Sequence, residues 1–249
     1  MKTQKERSTV NFEYMSMDAS TFTKTVLMII VVLYHSMALW TNEWSIGKPV
    51  IQSAVISYVA LWFNSFHIYG FVVISGYIFF CLKHEKGKYE VFSHFVTQKA
   101  RRLLVPVIFV SIIWAIPFGI AMLNYDKGKI ISNYILGISP NQLWFLWMLF
   151  WVFMISWVLF DFIKTHTILS GLLVIVLYGL GIFGSSLLPN FFQIWTACQF
   201  VVYFWIGIKF RQFGTRYFSI GIIWGALLIQ ICLYSVDYFW FQDTHGISK

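Results

Sequence analysis

The feature that most constrains this chain is the recurrence of long apolar runs almost free of charge, at 25–40, 62–82, 103–123, 143–160, 168–188, 191–210 and 217–236. A helix needs about 20 mostly apolar residues to cross about 30 Å of hydrocarbon. Within lipid, a run of this kind satisfies its own backbone only as a helix. A soluble fold has no means of hiding seven such runs, whereas lipid accepts apolar surface from every side. The expected fold is therefore all-α: a polytopic transmembrane helical bundle of about seven spans.

Composition agrees. Hydrophobic residues make up 59 % of the 249 residues and charged ones only 11 %, against about 25 % in a soluble domain. The 12 Trp, 13 Tyr and 26 Phe suit a protein with two membrane–water interfaces, where amphipathic rings settle. The net charge of +8 lies in short loops between apolar runs, which makes it a topological signal and argues against nucleic acid as a partner. Cys81, Cys198 and Cys232 have no metal-ligand spacing. Residues 1–20 form a polar cytoplasmic arm ahead of a transmembrane domain over 21–249. No small-residue cleavage site follows the first run, so that run is read as an anchor.

Orientation follows from Lys and Arg in alternate loops. One set holds Lys2, Lys5, Arg7, Lys24, Lys83, Lys86, Lys88, Lys99, Arg101, Arg102, Lys164, Lys209, Arg211 and Arg216, fourteen in all. The opposite set holds four: Lys48, Lys127, Lys129 and Lys249. This places the N-terminus inside and, after seven spans, the C-terminus outside. The stretch 51–82 is too long for one crossing without steep tilt. It is read as a partly inserted helix to residue 61, a break near Asn64, and the span thereafter.

Two histidines lie inside spans, where ionisable groups are expensive and hence candidate functional groups. His35 stands eleven positions beyond Lys24, nearly on the same helical face and about 16 Å further along. His67 stands sixteen positions before Lys83, or about 24 Å if helical. Imidazole suits general-base work near neutrality. The other reading, which stays open for both residues, makes each histidine an interhelical hydrogen-bond donor. Lys99, Arg101 and Arg102, in QKARR (98–102), act as topological signals and also offer donors for phosphate oxygens. The Ser75-Gly76 pair is read as a site of close helix packing ahead of a nucleophile. Trp144 and Trp147 are read as interface anchors first and acceptor-stacking rings second.

No Walker loop, GxSxG elbow, HExxH or Cys/His cluster occurs in the sequence. Acidic residues are nearly absent from the run interiors, which disfavours proton pumps and cation channels.

Four stretches in order resemble the membrane-bound acyltransferase-3 family, the polysaccharide O-acetyltransferase type. Lys24-x10-His35 within KTVLMIIVVLYHS resembles its first-span signature, and FHIYGFVVISGYIFF (66–80) its second. KARRLLVP (99–106) and QLWFLWML (142–149) resemble the third and fourth landmarks. The resemblance covers about residues 20–210. Three departures stand out: Lys24 where the well-known branch has arginine, Tyr69-Gly70 where many members have proline, and fewer spans than members normally have.

The resemblance implies an acyltransferase of the plasma membrane, in a bacterial setting. It would move an acyl group, typically acetyl, from cytoplasmic acyl-CoA to a hydroxyl of a cell-surface glycan or lipid-linked sugar. Acyl-CoA (acetyl-CoA) is then a co-substrate, with no bound cofactor and no metal. His35 and His67 take the catalytic positions, while Lys24, Lys99, Arg101 and Arg102 gather the nucleotide phosphates. The rival expectation is a non-catalytic membrane component for glycan export, or an inactive short member of the family.

Overall fold

The computed structural model describes the backbone of residues 4–41, 53–213 and 220–241, and the side chains of 20–41, 53–213 and 225–239. The helices are α1 (Gln4–Met37), α2 (Ala54–Phe80), α3 (Phe92–Val110), α4 (Ile116–Leu123), α5 (Lys127–Ile130), α6 (Trp144–Val158), α7 (Phe160–Thr165), α8 (Thr167–Leu187), α9 (Ile194–Phe213) and α10 (Ile220–Phe241). No strand occurs among the described residues. Among the described residues, six helical stretches are long and apolar enough to cross a membrane: Ser20–Thr41, Ala54–Glu85, Phe92–Leu123, Asn141–Val158, Thr167–Leu187 and Phe191–Phe213. A shorter apolar stretch, Gly225–Phe239, lies within α10, where the seventh run was expected. Lys2, Lys48, Arg216 and Lys249 lie outside the described residues, as do Ile51 and Tyr217.

The helices divide into two compact units, 1–74 with 213–249, and 75–212. In the first unit α1 begins at Gln4, so the polar arm and the first apolar run share one helix. α2 corrects an expectation. It runs without interruption through Asn64, the proposed break. The polar groups nearby are satisfied on their own helix: Ser65 Oγ donates to Trp62 O at 2.7 Å and His67 Nδ1 to Phe63 O at 2.7 Å. At 27 residues the helix is about 40 Å long, which tilt accommodates. Gly70 serves contact instead of a break. A Cβ there would stand 3.1 Å from Leu27 Cδ2, so its absence lets α1 approach α2.

Against α10, α2 presents Tyr58, Trp62 and Ser65, spaced along one face. Trp62 Nε1 donates to Gln230 Oε1 at 2.8 Å, Gln230 Nε2 to Ser65 Oγ at 3.0 Å, and Tyr234 OH to Tyr58 O at 3.1 Å. Tyr58 OH and Ser235 Oγ are 2.7 Å apart. Hydrogen bonds between helices supply association where lipid removes the hydrophobic drive.

The second unit closes around Phe79. Its ring lies 5.7 Å from Phe95, 6.0 Å from Phe153, 5.6 Å from Phe160 and 5.4 Å from Phe204, centroid to centroid. Such offset and edge contacts add to the burial of the rings. Gly76 makes the α2–α9 approach possible, because a Cβ there would collide with the Phe204 backbone oxygen. The packing reading of Ser75-Gly76 thus holds at Gly76. α3 carries Pro106 and gives way after Val110 to a π turn, Ser111–Ala115, before α4 continues the same stretch. Ile168, Leu172, Ile175, Phe183 and Leu187 of α8 stand exposed, a surface suited to lipid.

Candidate functional site

The two span histidines belong to the first unit. Lys24 and His35 share unbroken α1, so the face relation expected from their spacing rests on continuous helix. His35 Nδ1 lies 2.8 Å from Val31 O, as His67 Nδ1 lies 2.7 Å from Phe63 O. A carbonyl only accepts, so both rings carry their proton on Nδ1, and the neutral ring then has its lone pair on Nε2. Tyr34 joins the two. Its ring centroid is 5.0 Å from that of His35 and 5.4 Å from that of His67. Tyr34 and His67 are buried, and His35 and Lys24 are half-buried. The unit therefore holds two imidazoles of one tautomer on one buried aromatic ring.

The cations of the second unit collect where α2, α6 and α9 end and α3 and α8 begin. Lys99 is buried beneath aromatic rings, its Nζ 3.6 Å from the Phe153 centroid and 5.1 Å from that of Tyr89. It occupies the α3 face of Phe95, whereas Arg101 and Arg102 are exposed on other faces. Burial pushes the phenol of Tyr89 above its usual range, against the opposing charge of Arg102. Of the three cations in KARR, the two arginines are thus the ones open to a soluble anion.

Three further cations, counted in the sequence only as topological signals, cap or clamp helix ends. Lys83 Nζ sits 3.7 Å from the Trp157 ring centroid and donates to Trp157 O at 3.4 Å. Lys209 is buried and donates to Ile163 O at 2.6 Å, Thr167 Oγ1 at 3.0 Å and Gln212 Oε1 at 2.8 Å. These bonds satisfy carbonyls left over at helix C-termini, where positive charge is favoured. Arg211 forks onto Glu85 and also donates to Tyr77 OH at 2.7 Å. Gln212 lies three residues on in α9, but the other partners lie on other elements, so no sequence spacing announces those pairs.

Opposite this end of the unit, Trp144, Trp147 and Trp151 follow one face of α6. Trp144 packs on Phe200 and Trp147 on Phe192. Sequence reasoning singled out the first two of these tryptophans and missed Trp151, although the three-and-four spacing was legible.

The fold defines a multi-pass helical membrane protein with paired span histidines and a cationic helix-end cluster. The profile of the acyltransferase-3 family, described as an acyltransferase domain, matches residues 18–247. The chain belongs to that family, as its four motifs suggested. Searches of curated proteins and of solved structures returned no match.

Proposed function

We propose that the chain is an integral membrane O-acyltransferase of the bacterial cell membrane. It moves an acyl group, acetyl in the simplest case, from cytoplasmic acyl-CoA to a hydroxyl of a cell-surface glycan or lipid-linked sugar. The observation that carries this reading is the His35–Tyr34–His67 arrangement, two Nδ1-protonated imidazoles within apolar helices. A base with its lone pair on Nε2 is what hydroxyl activation requires.

In the proposed reaction, His35 Nε2 takes the acceptor O–H proton as that oxygen attacks the thioester carbonyl carbon. The new C–O bond forms, the C–S bond breaks, and the CoA thiolate leaves with the proton returned from His35. His67 assists the same proton transfer. Each Nδ1–H bond to a backbone carbonyl fixes the ring orientation, as triad partners do elsewhere. Arg101 and Arg102 bind the nucleotide phosphates of the donor through forked donors, with Lys99 adding charge beneath them. Lys24 is proposed as a further cation for the donor on α1.

The test is transfer from labelled acetyl-CoA by the full chain in liposomes, with mass spectrometry of envelope glycans from cells with and without the gene. Acetyl-CoA consumption and a mass gain on the glycan are expected. Glycans of unchanged mass but altered location would establish the export reading instead.

A further inference from the structure

The indole nitrogens of Trp147 and Trp151 are both buried, and neither has a hydrogen-bond acceptor. An indole N–H can only donate. A buried donor left unpaired is rare and costly. Here two occur one helical turn apart on the same face of α6, and Trp144 extends that face by a third ring.

The wall opposite is built under constraint. Phe192 adopts φ 49° and ψ 24°, and Gln193 follows at φ 61°. A bulky residue in the left-handed region persists only where its surroundings enforce it. They do so here: Phe192 N donates to Leu136 O at 2.9 Å. Gln193 Nε2 donates to Gly137 O at 2.9 Å and Ile138 O at 2.8 Å. The result is a Phe192 ring held 5.0 Å from that of Trp147.

We propose that the Trp144–Trp147–Trp151 face of α6, walled by Phe192, binds a neutral saccharide ring. The Nε1–H groups of Trp147 and Trp151 donate to its oxygens. Naming that saccharide as the acyl acceptor rests on the acyltransferase reading; the binding itself does not. The chemistry selects this ligand class. An acyl chain would cover the rings but leave both donors orphaned. A trapped water would accept from the indoles, yet buried waters typically make about three hydrogen bonds and need polar partners for their own protons as well. A sugar ring offers apolar C–H faces to stack on indole together with oxygens to accept both bonds. Both nitrogens are buried, so binding requires the Trp147 and Phe192 rings, 5.0 Å apart between centroids, to part.

The test uses the full chain in lipid nanodiscs with ¹⁵N-labelled indoles, the two resonances being assigned from Trp147→Phe and Trp151→Phe. Methyl glycosides of glucose, galactose, mannose and N-acetylglucosamine are titrated in, without acyl-CoA. The expected result is joint, saturable movement of both indole resonances with at least one glycoside. Three results overturn the proposal: no movement with any of the four, equal movement on adding diacylglycerol alone, or an unmoving pair with a water cross-peak. In the acylation assay, Trp147→Phe should raise the acceptor KM about three- to tenfold and leave the acyl-CoA KM unchanged. Glycoside-driven movement in a chain that consumes no acyl-CoA supports the site and overturns the acyl-transfer reading separately.

Discussion

Arg211 forks onto Glu85, with Nε 2.7 Å from Oε1 and Nη2 2.7 Å from Oε2, tying the end of α9 to the π turn that follows α2. The third bond, from Nη1 to Tyr77 OH, leaves the guanidinium a fixed plane. Lysine keeps the charge but loses the fork. Both side chains are partly exposed, at 19 % and 32 %, so solvent screening limits the pair's worth. Arg211→Lys should cost about 1 kcal/mol, or about 3 °C in thermal unfolding of the detergent-solubilised chain. A cycle of Glu85→Gln and Arg211→Met that is simply additive would show the contact to be incidental.

Replacing His35 by Asn separates the base from the hydrogen bond. Asparagine can still donate to a main-chain carbonyl but has no basic nitrogen. Loss of general-base assistance typically costs about 10²–10⁴ in rate, so acylation by His35→Asn should fall by that order at matched protein levels. Insertion should remain near normal, since one polar group replaces another within the span. His67→Asn, tested beside it, should also lose rate. Near-normal acylation by His35→Asn would leave that residue a packing donor on Val31 O.

Arg101 and Arg102 are open to solvent while Lys99 is roofed by Phe153 and Tyr89. Arg101→Lys with Arg102→Lys keeps the topological charge and removes the bidentate geometry. The double variant should insert correctly and bind acyl-CoA about tenfold more weakly, as read by isothermal titration in nanodiscs. Unchanged affinity would reduce the pair to orientation signals. Lys99→Met acts differently, because it removes an ammonium from an aromatic cage and should lower stability as well.

The apolar runs made the spans legible because length and charge depletion are one-dimensional properties. α2 shows where that ends. Asn64, Ser65, His67 and Gly70 looked like a break because polar residues and glycine together disfavour an apolar helix. Ser65 and His67 instead return their protons to Trp62 O and Phe63 O, and Gly70 admits Leu27. The histidine pair was legible as two positions, but not as a pair sharing Tyr34, whose ring contacts depend on how α1 and α2 meet. Lys83 and Lys209 read as loop charges for a related reason. Their partners, Trp157 and Ile163, are more than forty residues away in sequence.

The fourteen-to-four cation asymmetry fixes an expected topology with the 83–102 segment inside and residue 244 outside. Single cysteines at Lys88 and Thr244, in a chain with its three native cysteines replaced, should react with impermeant maleimide from opposite faces of sealed vesicles. Reaction of both from the same face would overturn the seven-span arrangement and require an even number of crossings between them.

The glycines supply a paired test of packing that is independent of activity. At Gly76 an added Cβ collides with the Phe204 backbone oxygen, whereas at Gly179 nothing lies within 4 Å. Main chain cannot rotate away as a side-chain tip can, so Gly76→Ala must push α2 and α9 apart around the Phe79 cluster. Overpacking of that kind costs about 1–3 kcal/mol, and the rings that depend on the approach make the upper end the expectation. Gly179→Ala makes the same chemical change in open helix and should be neutral or stabilising by up to about 1 kcal/mol through helix propensity. Thermal unfolding of the two variants in one detergent should therefore move in opposite directions or differ by several degrees. Equal shifts would mean that α2 and α9 do not meet at Gly76 as described.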